Sequence, residues 1–291
     1  MSEGAGPRRD GGDGAAGRPR LVDLHCHFVP GVDDGAPSTE RALHYLEEGL
    51  RAGVSRVVTT PHLPASRAGG PLRERIRGSF DELRDAVARE LPELELSLAY
   101  ELRLDGAEVD PEDRGLWLGP GGHVLVEYDL FTLPDDPVAP VAPLLRAGRV
   151  PVLAHPERYR GAGRPGWPGR LRAAGVKLCA NAGSLAGRYG PGPRAVAGEL
   201  LAAGQVDLVA SDHHARPERS CGLGDAWEIL EGGAGGRDAA RVLLSENPGA
   251  VAEGGAMRPP PEAHLPQEAP EGGREGPGLR PSGFTGLEGP R

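Results

Sequence analysis

The chain has 291 residues, which is enough for one large domain or two small ones. Its formal net charge of −9 argues against a nucleic-acid partner, because nucleic-acid-binding proteins present a basic stripe. No apolar run approaches the roughly 20 residues of a membrane span, and the first residues lack the apolar stretch of a secretory signal.

The two ends of the chain differ in composition from its middle. Residues 1–19 are charged and Gly-rich, and residues 254–291 are rich in Gly and Pro. Such segments bury too little apolar surface to offset the entropy lost on ordering, so we expect both to be disordered. The folded domain is predicted to span residues 20–253.

Seven short apolar segments alternate with helix-like stretches along this domain. The first helix is predicted to begin with a Ser/Thr cap and to end at Gly53. Apolar strands that alternate with helices indicate a parallel sheet covered on both faces, or a closed barrel. The predicted strands span residues 21–28, 55–60, 94–102, 123–128, 150–154, 176–180 and 206–211.

Nearly every predicted strand ends in a potential metal ligand. In a (β/α) barrel the carboxyl ends of the strands form the active-site face, so these side chains would converge there. His25 and His27 point the same way on a strand, and Cys26 between them points to the opposite face. The potential ligands at these strand ends are His25, His27, His62, Glu101, Glu127, His155, Asp212, His213 and His214. His213 alternates with Asp212 and His214 along its strand, so it should point away from the metals.

The donor set combines imidazoles with carboxylates and contains no thiolate, which suits Mn, Fe or Zn. Roughly nine donors exceed the four of a closed tetrahedral site, so two or three metals fit the count better. Adjacent metals about 3.5–4 Å apart can activate a bridging water and stabilise the oxygens of a displaced phosphoryl group. Hydrolysis is therefore the predicted chemistry.

A cysteine-based phosphatase mechanism is disfavoured. Such an enzyme needs a C-x5-R loop, and neither Cys26, Cys179 nor Cys221 has an arginine at the required place. The three cysteines also form no CxxC pair, which predicts a reducing, cytoplasmic location.

Five motifs, DLHCHFVPGVDDG, TTPH, VEYD, AHPERY and ASDHH, resemble in this order the polymerase-and-histidinol-phosphatase (PHP) superfamily. The forms H-C-H-x-x-P-G-x-D-D-G and H-P-E-R-Y are similar to its bacterial protein-tyrosine phosphatase branch, the CpsB/CapC/YwqE-like enzymes of capsule and exopolysaccharide systems. The resemblance covers residues 21–251 and implies an α/β fold, a distorted (β/α)7 TIM-like barrel. It also implies up to three metal ions, with Mn²⁺ preferred and Fe or Zn as alternatives.

The resemblance further implies a role for each motif residue. Attack on phosphorus would come from a metal-bridging hydroxide. Arg158 and Arg219 would bind the phosphate oxygens, because the planar arginine fork makes two parallel charge-assisted bonds. The metal ligands would be His25, His27, Glu101 and Asp212 for the first ion, Glu101, Glu127 and His155 for the second, and Asp34, His62 and His214 for the third.

Three of these assignments stay open because another residue competes for the role. The VDDG turn offers two adjacent carboxylates. The segment AYELRLDG stands where the family usually has Gly-Ala-Glu or Gly-Ser-Glu. The segment HHARPERSCG departs from the family's Arg-Pro-Pro pattern. The alternatives are Asp33 for Asp34, Asp105 or Glu108 for Glu101, and Arg216 for Arg219.

The function that the resemblance implies is a metal-dependent phosphotyrosine-protein phosphatase. Its substrate would be a bacterial tyrosine kinase of polysaccharide biosynthesis or export, and a homo-oligomer is compatible with this function. One alternative is a PHP phosphomonoesterase for small molecules of the histidinol-phosphate type. Another is a non-catalytic, metal-stabilised regulatory domain.

Overall fold

A computed structural model of the chain describes residues 18–216 and 222–266. Over these residues the strands form two sheets, in which every neighbouring pair is parallel. The smaller sheet has the order β1-β2-β4, with β1 Leu21–Asp23, β2 Val54–Thr59 and β4 Glu95–Leu98. The larger sheet has the order β3-β5-β6-β7-β8-β9, with β3 His62–Pro64, β5 Glu101–Leu104, β6 His123–Tyr128, β7 Val150–Ala154, β8 Lys177–Asn181 and β9 Leu208–Ala210.

One predicted strand is divided between the two sheets, and another is followed by a short strand, β3, that was not predicted. The predicted strand 55–60 ends as β2, and β3 begins after Pro61, which has no N–H to donate to a ladder. The predicted strand 94–102 is divided at Ala99 and Tyr100 into β4 and β5. Backbone hydrogen bonds cross both breaks, since Ala99 N donates to Thr59 O at 3.0 Å and Glu101 N donates to Pro61 O at 3.2 Å.

The predicted first strand is shorter than expected, but its continuation is bonded on both sides. Thr60 N donates to Cys26 O at 2.7 Å. On the other side Asp212 N donates to His25 O at 2.7 Å, and His27 N donates to His213 O at 2.8 Å. Residues 25–27 therefore lie between the chain that follows β2 and the chain that follows β9.

The helices cover the sheets, and the first one begins as predicted. Ser38 caps α1, where its side chain accepts a hydrogen bond from Arg41 N, and Gly53 follows the helix with a left-handed φ of 98°. A π-helical turn, Val242–Glu246, connects the last two helices. The helices are α1 Thr39–Arg51, α2 Pro71–Glu90, α3 Ala142–Arg146, α4 Trp167–Ala173, α5 Ala182–Leu185, α6 Pro191–Ala202, α7 Leu223–Glu231, α8 Gly236–Arg241 and α9 Asn247–Glu253.

The core lies on both faces of the sheets. All six residues of β6 are buried, which is expected when helices cover one face of a parallel strand and packed side chains cover the other. On the helix side α2 buries Ile76, Phe80 and Leu83 at helical spacing. This packing holds the strand ends, which carry the predicted donors, in fixed positions. No helix among residues 18–216 and 222–266 is long and apolar enough to cross a membrane.

The prediction of disorder from residue 254 onward is wrong for residues 254–266. Ala263 is buried and its N–H donates to Leu201 O at 3.1 Å. The Asn247 side chain accepts from Arg258 N at 2.7 Å. The composition is poor in large apolar residues, but these hydrogen bonds, buried Ala263 and the partly buried Met257 and Leu265 hold this segment against the core. Residues 18 and 19, also predicted to be disordered, are described as well; residues 1–17 and 267–291 lie outside the described part.

Candidate metal centre

The predicted donors converge, most of them at or just after the carboxyl ends of strands, whereas His62 and Glu101 are the first residues of β3 and β5. His25 and His27 follow β1, His155 follows β7, and Asp212 and His214 follow β9. Among the described residues, three groups bring their ligand atoms within 4.8 Å of one another: His25, His27 and Glu101; His62, Glu101 and Glu127; and His27, His62 and His214.

Glu101 lies at the centre of this cluster and is fully buried. Its Oε2 lies 2.9 Å from His62 Nδ1 and 3.3 Å from His25 Nε2, and its Oε1 lies 2.7 Å from His155 Nε2. The pairing of β3 with β5 sets His62 directly opposite Glu101. Glu101 is therefore the carboxylate that two of the three groups share.

The two alternatives to Glu101 lie elsewhere. Asp105 accepts hydrogen bonds from the backbone and hydroxyl of Ser66 on the exposed side of β5, and Glu108 is exposed. Neither residue belongs to any of the three groups of ligand atoms. The geometry thus favours Glu101 even though its local sequence departs from the family pattern.

The two carboxylate oxygens of Asp212 have different partners. Oδ1 lies 3.4 Å from Nε2 of both His25 and His27. Oδ2 accepts hydrogen bonds from Arg158 Nη1 at 2.5 Å and from Asn181 Nδ2 at 2.7 Å. Arg158 and Asn181 thereby hold Oδ2 in place, while Oδ1 faces the imidazoles of His25 and His27.

The adjacent Asp33 and Asp34 also have different partners. Asp33 Oδ2 lies 2.8 Å from His27 Nδ1 and accepts from His62 N at 3.1 Å. Asp34 Oδ1 lies 3.4 Å from His214 Nε2 and 3.5 Å from His62 Nε2. Asp33 thus orients an imidazole from behind, as carboxylates do beside metal-bound histidines, whereas Asp34 faces the third group.

The turn that carries both aspartates packs tightly against the first strand segment. Gly35 leaves no room for a side chain, because a Cβ there would collide with the carbonyl oxygen of His27. Gly35 N also donates to Asp33 Oδ1 at 2.9 Å. The final glycine of the VDDG motif therefore keeps the two carboxylates next to the cluster.

The charges in the cluster are coupled. Burial disfavours a charged His27, but Asp33 and Asp212 together outweigh this effect and the pKa of His27 lies well above its usual range. Burial also disfavours a charged Glu101, but His25 and His62 keep the pKa of Glu101 well below its usual range. Protonated imidazoles would thus balance the carboxylate charge, and a bound cation would replace those protons.

The residues fit a metal by a second criterion, which is an incomplete set of hydrogen bonds. Among the described residues no donor reaches the buried Glu127 Oε2. An unsatisfied buried polar atom costs about 1–3 kcal/mol, so such an atom calls for a structural explanation. A divalent cation bound by imidazole and carboxylate ligands would satisfy it.

Backbone strain is concentrated at the same place. Four described non-glycine residues have a positive φ, namely Phe131 at 50°, His155 at 35°, Asp212 at 51° and Ala215 at 52°. Two of them are predicted ligands, Ala215 follows the predicted ligand His214, and the ring of Phe131 stacks on that of His155. Such conformations cost about 1–3 kcal/mol each and are concentrated at functional sites.

The structure places one of the two predicted phosphate-binding arginines at the cluster and does not describe the other. Arg158 lies at the cluster, where Asp212 holds it and the ring of Tyr189 stacks on it, with the guanidinium carbon 4.1 Å from the ring centroid. Arg216 is exposed. Arg219 lies outside the described residues, so the choice between Arg216 and Arg219 stays open.

The described cysteines are poorly placed for nucleophilic chemistry. Cys26 and Cys179 are free and buried. Burial, followed by the charge of Asp23, raises the pKa of Cys26 well above its usual range, and burial does the same for Cys179. A thiolate is the reactive form, so both are inert at neutral pH. Cys221 lies outside the described residues.

The sequence did not point to three residues at the site, which are Asn181, Phe131 and Tyr189, the last with its ring on Arg158. Asn181 ends β8 and donates to Asp212, and its position at a strand end was a signal that could have found it. Phe131 carried no motif signal. Its position depends on a turn after β6 that only the folded chain reveals.

A family model described as capsular polysaccharide synthesis, CpsB/CapC, matches residues 21–253. The chain belongs to the CpsB/CapC family. The match extends across the strand segments and across every predicted ligand described above.

Curated relatives and a solved structure agree with this assignment. The chain is 29% identical to tyrosine-protein phosphatase YwqE of Bacillus subtilis over 217 residues, 72% of this chain and 84% of YwqE. It is 31% identical to tyrosine-protein phosphatase CpsB of Streptococcus pneumoniae over 143 residues, 48% of this chain and 58% of CpsB. A solved structure from work on YwqE and CpsB, described there as metal-dependent tyrosine phosphatases, matches with a TM-score of 0.70 and 25% identity. That match covers 83% of this chain and 99% of the solved chain.

Proposed function

We propose that this CpsB/CapC family member is a metal-dependent phosphotyrosine-protein phosphatase. The observation that carries the proposal is the buried set of imidazoles and carboxylates around Glu101, with Arg158 beside it. The Arg158 guanidinium would bind an anionic substrate at the edge of this cation-binding cluster. The tyrosine-phosphatase names of the relatives support the same substrate class.

The metals would be held by the three groups of ligand atoms, with up to three ions, and Mn²⁺, Fe or Zn suits the donor chemistry. When bound, they would supply an acidified water and neutralise negative charge on the phosphoryl oxygens. We propose as ligands His25, His27, Asp34, His62, Glu101, Glu127, His155, Asp212 and His214.

The chain's own residues would position the substrate and the ligands. Arg158 is fixed by Asp212 and by the ring of Tyr189, so its donors are oriented before a phosphate arrives. Asp33 would keep His27 turned with Nε2 toward the cluster. Most of the proposed ligands are buried, which limits access of bulk water and strengthens these electrostatic interactions.

We also propose that the two sheets form one distorted (β/α)7 TIM-like barrel, with residues 20–253 as the phosphatase domain. The hydrogen bonds from residues 25–27 to the chain after β2 and to the chain after β9 support a closed ring. Closure would explain why donors from six strand ends meet at one point, because strands of an open sheet end along a line.

The natural substrate that we propose is a bacterial tyrosine kinase of polysaccharide biosynthesis or export. The family description, capsular polysaccharide synthesis, supports this pathway. A cytoplasmic location is part of the proposal and is supported by the free thiols of Cys26 and Cys179.

Metal analysis and kinetics on one preparation test the proposal. After manganese loading we expect at least two metals per chain and faster hydrolysis of a phosphotyrosine peptide than of histidinol phosphate. His155→Ala should abolish hydrolysis. A preference for histidinol phosphate would favour the small-molecule phosphomonoesterase. Fewer than two metals together with no hydrolysis would favour the regulatory domain.

A further inference from the structure

We propose that Phe131 is a specificity-determining residue that contacts the aromatic ring of the phosphotyrosine at the edge of the site. This proposal rests on the phosphotyrosine activity proposed above and adds a residue that reads the ring rather than the phosphate.

The exposure of Phe131 is the first observation. Its exposed fraction is 36%, and no other large hydrophobic residue is exposed among the described parts of the chain. Single exposed apolar residues are common on protein surfaces, so exposure alone decides nothing. Phe131, however, lies at the site, because its ring stacks on the His155 ring with the centroids 5.0 Å apart and the planes 14° apart.

The second observation is its relation to the phosphate-binding cation. The Arg158 guanidinium carbon lies 5.3 Å from the Phe131 ring centroid and 4.1 Å from that of Tyr189. An aryl phosphate whose phosphoryl group pairs with Arg158 would thus carry its ring past Phe131. Aromatic pairs favour offset or edge-to-face contact, and both geometries are open to a ring that is partly exposed.

The third observation is that the backbone of Phe131 is held in a fixed place. Phe131 O accepts from Arg160 N at 2.9 Å, and Leu133 N donates to Arg160 O at 3.1 Å. Arg164 Nη2 donates to Leu133 O at 2.7 Å. These bonds anchor the turn whose left-handed φ of 50° at Phe131 would otherwise be disfavoured. A ring anchored in this way loses little freedom when a ligand packs on it.

Phe131 should therefore distinguish ligands that carry an aromatic ring from inorganic phosphate. Inorganic phosphate has no ring to contact Phe131, whereas phenylphosphonate carries a ring on the same anionic group and is not hydrolysed. Phe131→Leu keeps an apolar side chain and removes the ring. Phe131→Tyr keeps the ring and is the matched control.

The test is calorimetric binding of inorganic phosphate and of phenylphosphonate to the metal-loaded full-length protein. We expect Phe131→Leu to raise the Kd of phenylphosphonate by about three- to tenfold, as the loss of one aromatic pair implies. The Kd of inorganic phosphate and the metal content should stay at wild-type values, and Phe131→Tyr should restore phenylphosphonate binding.

Kinetics on the same proteins complete the test. In Phe131→Leu, KM for a phosphotyrosine peptide should rise while kcat changes little. Equal weakening of both ligands would overturn the proposal, because Phe131 would then act only by supporting Arg158, and unchanged binding of both would also overturn it. Failure of the proposed function looks different, since the wild-type protein would then not hydrolyse the phosphotyrosine peptide at all.

Discussion

Asp33 Oδ2 lies 2.8 Å from Nδ1 of His27, on the side of the imidazole that faces away from Glu101 and Asp212. The contact leaves Nε2 of His27 facing both carboxylates, each at 3.4 Å. Burial raises the pKa of Asp33, but His27, His62 and the hydrogen bond from Gly35 N together outweigh it and lower this pKa to about 2. The neighbouring Asp34 faces His62 and His214 instead.

Asp33 and Asp34 are therefore expected to respond differently to removal of the charge. Asp33→Asn should weaken metal binding by about 10- to 100-fold without changing the number of metals at saturation, as is typical for a residue behind a ligand. Asp34→Asn should lower the number of metals bound at saturation. Metal titration followed by elemental analysis measures both quantities. A lower stoichiometry in Asp33→Asn alone would reverse the two roles.

Glu101→Gln is expected to be the most damaging carboxylate substitution. Glu101 contacts His25, His62 and His155, so the amide would remove charge from two of the three groups at once. Metal content should fall, and kcat/KM for a phosphotyrosine peptide should fall by about a hundredfold or more, because bound metals supply several kcal/mol. Glu108→Gln on the exposed surface is the control. Equal activity of the two variants would show that Glu101 is no ligand.

Arg158→Lys tests recognition of the phosphate. Lysine keeps the charge but cannot make the paired bonds of a planar fork or stack in the same way on Tyr189. We expect kcat/KM to fall by about 10- to 100-fold, the effect of a lost charge-assisted hydrogen bond, mainly through KM. Arg216→Lys serves as the exposed counterpart. If kcat/KM fell as far in Arg216→Lys as in Arg158→Lys, Arg216 would also be assigned to phosphate binding.

Cys26→Ser tests the water-based mechanism. The residue is buried and its thiol lies 3.9 Å from Val58 O, outside the groups of ligand atoms. Burial of a hydroxyl in its place should cost about 1–3 kcal/mol of stability, while kcat and metal content stay close to wild type. Loss of hydrolysis with full metal content would instead identify a thiol nucleophile.

His213 predicts a pH dependence of stability in the metal-free protein. Burial and then the charge of His214 lower the pKa of His213 to about 4. Between its unfolded pKa near 6.5 and this value, the unfolded chain binds a proton that the folded chain refuses, so stability falls as the pH decreases.

His213→Gln should remove this part of the pH dependence. From pH 6.5 to pH 4, its free energy of unfolding should fall by about 3 kcal/mol less than that of the wild type. Denaturant unfolding in the presence of a chelator measures the difference, and His44→Gln on the surface of α1 is the control. Parallel curves for wild type and His213→Gln would contradict the assignment.

The sequence allowed most of the site to be predicted, because a residue's place at a strand end can be read from the pattern of apolar residues. His25, His62, Glu127 and His155 were predicted in this way, and the structure brings them together. The division of the predicted strand 94–102 and the separate strand β3 could not be predicted in this way. Continuous apolar runs do not reveal where a strand passes from one sheet to another.

Composition could not predict that residues 254–266 adopt a fixed conformation. That conformation depends on partners far away in the chain, such as the Leu201 carbonyl that accepts from Ala263 N. Local composition measures only how much apolar surface a segment carries, and it contains no information on a distant acceptor.

The sequence by itself determined which side chains could act as ligands and that they lie on successive strand ends, because both properties are local. Only the tertiary structure decided between neighbours of the same chemistry. Asp33 and Asp34 are equal in charge and adjacent in sequence, yet one lies behind His27 and the other faces His62 and His214. The difference arises from the conformation of one turn packed against β1, and that packing depends on contacts between segments far apart in the chain.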